Sequence, residues 1–352
     1  MSKPDQFVAV VGAGYWGKNL VRSFHRLGVL HTICDGAEES RVKMNDLYPE
    51  VPFVDDYQSI LDNPQIRAVS LATPAVVHAE MARQAILAGK DVLVEKPICL
   101  DDKEAAELHA LALEHKRILM VGHLLWYHPG VLKLKSLIQN GDLGAVRYIY
   151  SNRLNMGKLR IHENVLWSFA PHDISVVLGL LEETPSSVFC QGGNFLNPQI
   201  ADTTTSTLEF ASGQRAHIFV SWLHPFKEQK LVVVGERQMV VFDDTAPWSE
   251  KLSLYPHSVE YTVNDFPVAV KGEPVFIPLE EREPLLSECD HFLECIKTRE
   301  TPRTDGAEAT AVLRVLNACE KSMATKAPVN LKSEDCDYFV HETSIIDEGV
   351  SI

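Results

Sequence analysis

The sequence has few cations for its length, no long apolar run and no pattern of paired cysteines. Lysine and arginine number 33 against 48 aspartates and glutamates, a formal net charge of −15, so a surface for nucleic acid or an anionic membrane is not expected. No apolar run approaches the ~18 residues that a membrane helix needs. The first six residues lead directly into the apolar run 7–11, which leaves no room for a signal peptide. We therefore expect a cytoplasmic protein without a membrane anchor.

The seven cysteines are scattered, with no Cys-x-x-Cys pair and no cysteine–histidine spacing suited to zinc. This usage is typical of reduced thiols in a cytosol, and no metal site is predicted. The 352 residues are 45% hydrophobic, which is enough for a buried core and more than one average domain holds. The composition excludes disorder, a mini-protein and a fibre.

Residues 1–122 alternate short apolar runs with helical patterns, which is the rhythm of βαβ units in a parallel sheet. Such continuous apolar runs are typical of parallel strands that are buried on both faces. The strands are predicted at residues 7–11, 30–34, 69–72, 92–94 and 118–121.

After Gly122 the pattern changes to β-rich runs separated by tight turns. Residues 203–210 and 215–222 flank one turn, and residues 230–234 and 239–242 flank another, so both pairs are predicted hairpins of a mostly antiparallel sheet. Residues 285–323 are predicted to form two helices around a break at residues 300–303.

The fold class is therefore α/β followed by α+β. We predict an N-terminal Rossmann domain over residues 1–122, an open-faced sheet domain over 123–330 and a C-terminal tail over 331–352. Helices that cover one face of the second sheet would leave the other face for a second copy. A homodimer or homotetramer formed through this sheet is expected.

The segment Gly12-Ala13-Gly14-Tyr15-Trp16-Gly17 follows a predicted strand and opens a helix, the context that a dinucleotide fingerprint requires. Gly12 permits the tight turn, Gly14 lets the main chain approach a pyrophosphate, and Gly17 lets helix and strand pack closely. Asp35 ends the second strand, where a carboxylate accepts the ribose hydroxyls and repels the extra phosphate of NADP. NAD is the predicted cofactor. Asp35-Gly36 is also a turn-forming pair, and the two roles are compatible.

Glu95-Lys96-Pro97 ends the fourth predicted strand, and open parallel sheets bind their ligands at the carboxyl ends of strands. A lysine beside a cationic nicotinamide in a partly desolvated cleft loses stability in its ammonium form, which suits proton transfer. Lys96 is therefore the leading acid/base candidate. Glu95 is positioned to orient it, and Pro97 is a candidate for a cis peptide bond.

Further motifs recur along the chain: Thr73-Pro74 after the third strand, Ala88-Gly89-Lys90 before the fourth, and Pro171-His172-Asp173. With the glycine loop and Glu95-Lys96-Pro97 they resemble the glucose-fructose oxidoreductase, inositol dehydrogenase and rhizopine catabolism (Gfo/Idh/MocA) family. The resemblance covers essentially the whole chain. It implies an NAD(P)-dependent oxidoreductase of sugars or cyclitols, with a Rossmann domain and a sheet domain that also forms the oligomer interface.

The resemblance also implies roles for individual residues. Lys96 matches the catalytic lysine of the family and His172 its catalytic histidine. Family members commonly have an acid four residues before that histidine, where this chain has Ser168. Asp173 is expected to fix the tautomer of His172 or to cap a helix that begins near Ile174. The predicted cofactor contacts are Gly12, Gly14, Tyr15, Trp16, Gly17, Asp35, Thr73, Pro74, His78, Glu95, Lys96 and Pro97.

A basic run begins the second domain. Residues 143–162 contain Arg147, Arg153, Lys158 and Arg160 but no aspartate or glutamate. Strand alternation puts Arg147, Ser151 and Arg153 on one face. This local charge suggests an anionic ligand, and a solvated sheet edge protected by cations is the alternative.

Residues 151–158 and 164–173 are similar to nucleotide-sugar members of the family, in particular the UDP-N-acetylglucosamine 3-dehydrogenases. This similarity implies NAD-dependent oxidation of the sugar 3-hydroxyl of a UDP-N-acetylhexosamine to a 3-keto sugar, for surface-polysaccharide or lipid A amino-sugar synthesis. The predicted substrate contacts are His123, Tyr127, Arg153, Asn155, Lys158, Arg160, Ser168, His172 and Asp173. Aromatic residues at 123–128 either line the cleft or pack between domains.

Two alternatives stay open. One is another enzyme on the same scaffold: a dehydrogenase of a free sugar or inositol, or an NAD-dependent glycosidase. The other is a non-catalytic sensor of NAD. Lys96 and His172 argue against a sensor because binding alone needs neither residue, and the basic run argues against a neutral sugar.

Overall fold

The computed structural model describes residues 5–157, 159–161 and 163–331. The chain divides into two compact units. Of the described residues, the first contains those up to Pro129 together with Glu281–Leu313, and the second contains those within Gly130–Glu280 and from Arg314 to Leu331. This division differs from the predicted boundaries, since a C-terminal segment returns to the first unit. The predicted tail lies outside the described residues except for Leu331.

The helices and strands of the described residues are numbered in chain order. The helices are α1 (Gly17–Arg26), α2 (Glu38–Leu47), α3 (Tyr57–Asp62), α4 (His78–Leu87), α5 (Asp102–Glu114), α6 (Pro129–Gln139), α7 (Val165–Leu181), α8 (Pro284–Thr298) and α9 (Gly306–Thr325). The strands are β1 (Val8–Val11), β2 (Leu30–Cys34), β3 (Phe53–Val54), β4 (Ala68–Leu71), β5 (Asp91–Val94), β6 (Leu119–Val121), β7 (Val146–Leu154), β8 (Ser187–Gly193), β9 (Thr203–Glu209), β10 (Arg215–Ser221), β11 (Glu228–Gly235), β12 (Gln238–Asp243), β13 (Leu252–Tyr261), β14 (Pro267–Lys271), β15 (Val275–Phe276) and β16 (Val329–Asn330).

The first unit is built on a six-stranded parallel sheet with the order β3-β2-β1-β4-β5-β6. Every residue of β1, β4 and β5 is buried, and apart from Ser70 and Asp91 they are all apolar, as expected for parallel strands covered on both faces. The five predicted strands are confirmed to within a residue, whereas the two-residue strand β3 carries no periodic signal. The strand order reverses between β1 and β4, and a reversal of this kind opens the crevice where such sheets bind ligands.

The returning segment completes the first unit through long-range contacts. Phe292 of α8 packs edge-on against Phe24 of α1, with ring centroids 6.5 Å apart. The Val121 N–H of β6 donates to the carbonyl of Thr304 at 2.7 Å, and the Thr304 hydroxyl donates to the Val121 carbonyl at 2.7 Å. Arg299 pairs with the buried Asp91 at 2.8 Å. Residues 183 to 268 positions apart are therefore in contact within one unit.

The second unit is built on a ten-stranded sheet with the order β14-β13-β12-β11-β7-β10-β9-β8-β16, and β15 pairs with β13. The predicted hairpins β9–β10 and β11–β12 are confirmed. The pairing is antiparallel except between β7 and β10. Helix α7 packs against β7, β9 and β10, and residues alternate between buried and more exposed along β9, as expected for a half-covered sheet.

None of the helices in the described part of the chain is both long and apolar enough to cross a membrane. The six cysteines in that part are free and buried, and Cys336 lies outside it. Within residues 5–157, 159–161 and 163–331, no group of three or more histidine, cysteine, aspartate or glutamate side chains is placed to hold a metal ion.

Candidate active site

The glycine loop joins β1 to α1 in the first unit. Gly12 has φ +87°, and a Cβ there would lie 2.7 Å from the carbonyl oxygen of Ala72. A Cβ on Gly17 would lie 1.8 Å from the carbonyl oxygen of Gly12, so the loop and the helix touch only because both residues are glycine. A Cβ on Gly14 would meet nothing within 4 Å. The loop therefore leaves open space beside Gly14 at the N-terminus of α1, where an anion is favoured.

Asp35 follows β2 and joins the glycine loop to the next turn. One carboxylate oxygen accepts the Ala13 N–H at 2.6 Å and the other accepts the Ala37 N–H at 2.8 Å. A carboxylate offers about four acceptor positions, so these two bonds leave capacity for ribose hydroxyls. The turn-forming role is present, and it is compatible with the predicted cofactor role.

His78 connects the loops that follow β4 and β5. Its ring nitrogens lie 2.7 Å from the carbonyl oxygen of Thr73 and 2.8 Å from that of Pro97. Burial lowers the pKa of His78, although the two carbonyls oppose the shift. Because the side chain is buried within the first unit, its clear task is to hold the Thr73-Pro74 turn beside Glu95-Lys96-Pro97. A direct cofactor contact stays a prediction.

Glu95, Lys96 and Pro97 follow β5, and the Lys96–Pro97 peptide bond is cis, as predicted. The indole N–H of Trp16 donates to the Glu95 carboxylate. Burial raises the pKa of Glu95 to about 7, against the opposing effects of the Trp16 hydrogen bond and of Lys96. A Cβ on Gly122 would lie 3.0 Å from that carboxylate. The glycine loop and the proposed catalytic turn are therefore joined at a carboxyl group that titrates near neutrality.

The aromatic segment after β6 is buried inside the first unit. His123 Nδ1 lies 2.6 Å from the carboxylate of Glu308, and both side chains are almost fully buried. The Tyr127 hydroxyl bonds the Thr304 hydroxyl at 2.9 Å. This burial favours packing over the lining of a cleft. The predicted contact of His123 and Tyr127 with substrate is untested, and the burial of both side chains gives it no support.

Glu288 of α8 is a buried acid that sequence reasoning missed. Its side chain is 1% exposed, and neither carboxyl oxygen has a hydrogen-bond partner among the described residues. Burial, and secondarily the negative charge of Glu95, raises the pKa of Glu288 well above its ordinary range. The first unit therefore contains two interacting carboxyl groups with raised pKa values.

In the second unit, helix α7 carries both Ser168 and His172. Asn164 caps the helix by accepting the Trp167 N–H at 3.3 Å. Glu320 of α9 accepts the Asn164 amide at 2.5 Å and the Trp167 indole at 2.8 Å. Ser168 and His172 lie four residues apart in one helix and so share a face.

The predicted helix start near Ile174 is wrong, because α7 begins at Val165 and continues through Pro171. Proline usually interrupts a helix, and packing of α7 against the sheet overrides that preference here. Asp173 is therefore not a helix cap. Its carboxylate accepts the Ser151 hydroxyl at 2.6 Å and the Arg153 Nε at 2.6 Å, bonds that point it at β7.

The basic run is largely paired within the protein. Arg147 is exposed and contacts Glu236 at 3.3 Å, and Arg160 contacts Glu163 at 2.8 Å. The Asn155 N–H donates to the Ser221 carbonyl just beyond the end of β7. Lys158 lies outside the described residues. The predicted local positive charge is thus partly offset by neighbouring carboxylates.

Comparison with known proteins identifies the family of both units. Residues 7–123 match the model of an oxidoreductase family with an NAD-binding Rossmann fold, GFO_IDH_MocA, and residues 131–241 match the GFO/IDH/MocA C-terminal domain. The chain belongs to the Gfo/Idh/MocA oxidoreductase family.

Two of its relatives match along nearly their whole length. The oxidoreductase YrbE of Bacillus subtilis is 27% identical over 341 residues, which cover 92% of this chain and 96% of that protein. The UDP-N-acetylglucosamine 3-dehydrogenase of Acidithiobacillus ferrooxidans is 27% identical over 317 residues, covering 86% and 93%. A solved structure of that organism's UDP-N-acetylglucosamine 3-dehydrogenase GnnA superposes with a TM-score of 0.80 at 23% identity, covering 90% and 97%.

The cofactor of this family member is NAD, and the first unit fits it. The open space beside Gly14 would admit a pyrophosphate close to the main chain, and Asp35 has acceptor capacity left for ribose hydroxyls. Lys96 follows β5 in the same unit.

The buried acids of α8 and α9 were not predicted as site residues. Glu288 and Glu308 lie on amphipathic helices, where glutamate is usually solvated. Their burial depends on partners far away in the sequence, and no local pattern marks it.

Proposed function

We propose that the protein oxidises the 3-hydroxyl of a UDP-N-acetylhexosamine, UDP-N-acetylglucosamine, to the 3-keto sugar with NAD as oxidant, in the cytoplasm. The observation that carries this proposal is the similarity to a UDP-N-acetylglucosamine 3-dehydrogenase over 86% of this chain. Lys96 at the end of β5 and His172 on α7 supply the acid/base groups that such an oxidation needs.

The chemistry divides between the cofactor and the protein. Bound NAD supplies the hydride acceptor, nicotinamide C4, which takes the hydrogen from C3 together with its electron pair. The hydroxyl O–H bond then releases a proton, which Lys96 or His172 accepts. Ser168 cannot take up that proton as a carboxylate would, so the lysine and the histidine manage it between them.

Recognition of the nucleotide part is assigned to the segment after β7. Asn155, Lys158 and Arg160 are the proposed contacts for the diphosphate, because amide and cationic donors suit phosphate oxygens. Ser168 and His172 are the proposed contacts around the sugar. Asp173 is a weaker candidate, because its carboxylate is 2% exposed and bonded to Ser151 and Arg153. His123 and Tyr127 are weaker candidates because they are buried within the first unit.

A second copy of the chain is the proposed protein partner, in a homodimer or homotetramer formed through the second sheet. Exposed apolar side chains at one end of this sheet support the assignment. Tyr261 and Val259 of β13 and Val268 of the edge strand β14 are all exposed, and an apolar patch left open is typical of partner surfaces.

The test is to incubate purified protein with NAD and a panel of UDP-sugars, free sugars and inositols, and to follow reduced nicotinamide by absorbance. We expect turnover with UDP-N-acetylglucosamine and a product two mass units lighter than the substrate. Because formation of a keto sugar is often uphill, an aminotransferase that consumes the product is added as a coupled reaction. Turnover of inositol with no product from any UDP-sugar would contradict the proposal.

A dehydrogenase of a free sugar or cyclitol is the second candidate. The pairing of Arg147, Arg153 and Arg160 with carboxylates favours it, because paired cations attract an anionic substrate less strongly. The same substrate panel separates the two candidates.

A further inference from the structure

Helix α7 is tied to strand β7 by a buried ion pair next to His172. Arg153 contacts Asp173 through Nε at 2.6 Å and through Nη2 at 3.3 Å. The Ser151 hydroxyl adds a bond of 2.6 Å to the same carboxylate. The Asp173 side chain is 2% exposed and the Arg153 side chain 13%. Two residues on one face of β7 therefore hold one residue of α7.

The remaining donors of Arg153 are also directed at the protein. In the amide orientation that satisfies both neighbours of Gln229, the Gln229 side-chain oxygen accepts a hydrogen bond from Arg153 Nη1 at 3.3 Å. The Gln229 side-chain nitrogen donates to the Asp244 carboxylate at 3.2 Å. The negative charges of Asp173 and Asp244 raise the pKa of Arg153 although burial lowers it. All three guanidinium nitrogens therefore have protein acceptors, which leaves little of the group for a diphosphate.

The energetic cost of this arrangement points to a geometric role. Burying two charges carries a large desolvation cost, and apolar side chains of similar volume often stabilise a protein as well or better. A forked guanidinium–carboxylate pair fixes direction as well as distance. Apolar packing also restrains the rotation of α7, and the forked pair adds a directional contact at the position next to His172.

We propose that Arg153 and Ser151, acting through Asp173, are positioning residues that set the rotation and height of α7 and thereby the place of His172. This inference rests on the proposed function, since it gives His172 a proton-transfer role. Asp173 directly follows His172, so a rotation of α7 that breaks the Asp173 contacts turns the imidazole by the same angle. Misplacement of a catalytic group by ~1 Å can cost ~100-fold in rate.

The decisive variant is the double substitution Arg153→Met with Asp173→Leu, which removes both charges and leaves no buried ion unpaired. Arg153→Lys keeps the charge but removes the fork. Arg215→Lys is the matched control, because Arg215 lies on the neighbouring strand β10 in an exposed pair with Glu209. Thermal melting establishes that each variant is folded.

Three measurements separate positioning from substrate binding. The first is the titration midpoint of the His172 imidazole by NMR in protein without cofactor, assigned as the resonance that is missing in His172→Asn. The second is the affinity for UDP by calorimetry. The third is kcat and KM for UDP-N-acetylglucosamine. Asp244 beside the pair, and Glu320, Lys135 and Glu182 beside α7, are unchanged in these variants.

For the double variant we expect a melting temperature close to that of the wild type and a shifted titration midpoint of His172. We expect kcat to fall ~10- to 100-fold, while the affinity for UDP and KM stay within about twofold of the wild type. The control should match the wild type in every measurement. A fall in UDP affinity with kcat unchanged would show that Arg153 binds substrate and would overturn the inference, as would an unchanged His172 midpoint. If the wild type oxidises no UDP-sugar, the proposed function fails, and the His172 midpoint still decides the positioning role.

Discussion

Replacing Glu288 by glutamine is expected to flatten the pH dependence of stability. Glu288 is buried without a hydrogen-bond partner among the described residues, and burial raises its pKa well above the ordinary range. The folded protein therefore keeps a proton that the unfolded chain releases once the pH exceeds ~4.3. Because the folded state binds more protons in this window, its stability falls as the pH rises.

The magnitude follows from linkage. One proton of difference lowers the free energy of unfolding by about 1.4 kcal/mol for each pH unit between the unfolded and folded pKa values of Glu288. The slope is the decisive quantity, because a buried glutamine amide without partners costs about 1–3 kcal/mol at every pH. Glu95, with its pKa of about 7, contributes a slope of the same sign, and it is present in both proteins.

The assay is denaturant unfolding at about pH 5, 6 and 7, with the free energy of unfolding extrapolated to zero denaturant. Glu294→Gln is the matched control, because Glu294 lies on the same helix α8 with its side chain 57% exposed. We expect the slope of stability against pH to be smaller in Glu288→Gln than in the wild type and unchanged in Glu294→Gln. If Glu288→Gln keeps the wild-type slope, Glu288 is ionised in the folded protein and the reasoning is refuted.

Two predictions concern the cofactor side of the site. Lys96→Met should lower kcat ~100-fold or more, while the affinity for NAD, measured by calorimetry, should change little. Lys103→Met, on the exposed side of α5, is the control. An active Lys96→Met enzyme would contradict the acid/base assignment. Asp35→Ala should reduce the preference for NAD over NADP by ~10-fold, measured as the ratio of the two dissociation constants, because the repelling carboxylate is removed. Asp35→Asn isolates the charge, and unchanged selectivity in both variants would count against this role.

Much of the first unit was predictable from local pattern. The strands of the parallel sheet carry continuous apolar runs, and the glycine loop carries its own backbone signature in Gly12 and Gly17. Lys96 could be proposed because ligands bind at the carboxyl ends of such strands. The hairpins β9–β10 and β11–β12 were equally predictable, since turn residues separate two β-rich runs in each.

The predictions that differed from the structure depended on partners distant in the chain. The helix start expected near Ile174 took Asp173 as a local cap, whereas α7 begins at Val165 and Asp173 pairs with residues of β7. Arg153 resembled a free cation in a run without acids, whereas its partner Asp173 lies 20 residues further on. From the sequence, the aromatic segment at 123–128 could either line the cleft or pack in the interior. The contacts of Tyr127 with Thr304 and of His123 with Glu308 favour packing in the interior.

The sequence by itself determined the order of elements, the family and the cofactor loop, because turn chemistry, periodicity and glycine spacing act over a few neighbouring residues. Only the tertiary structure decided which charges are buried and what they contact. It places residues 281–313 in the first unit. It also buries Glu288 close enough to Glu95 for their charges to interact, and it pairs Arg153 with Asp173. The physical reason is that desolvation and Coulomb energy depend on distance in space, which local pattern does not encode.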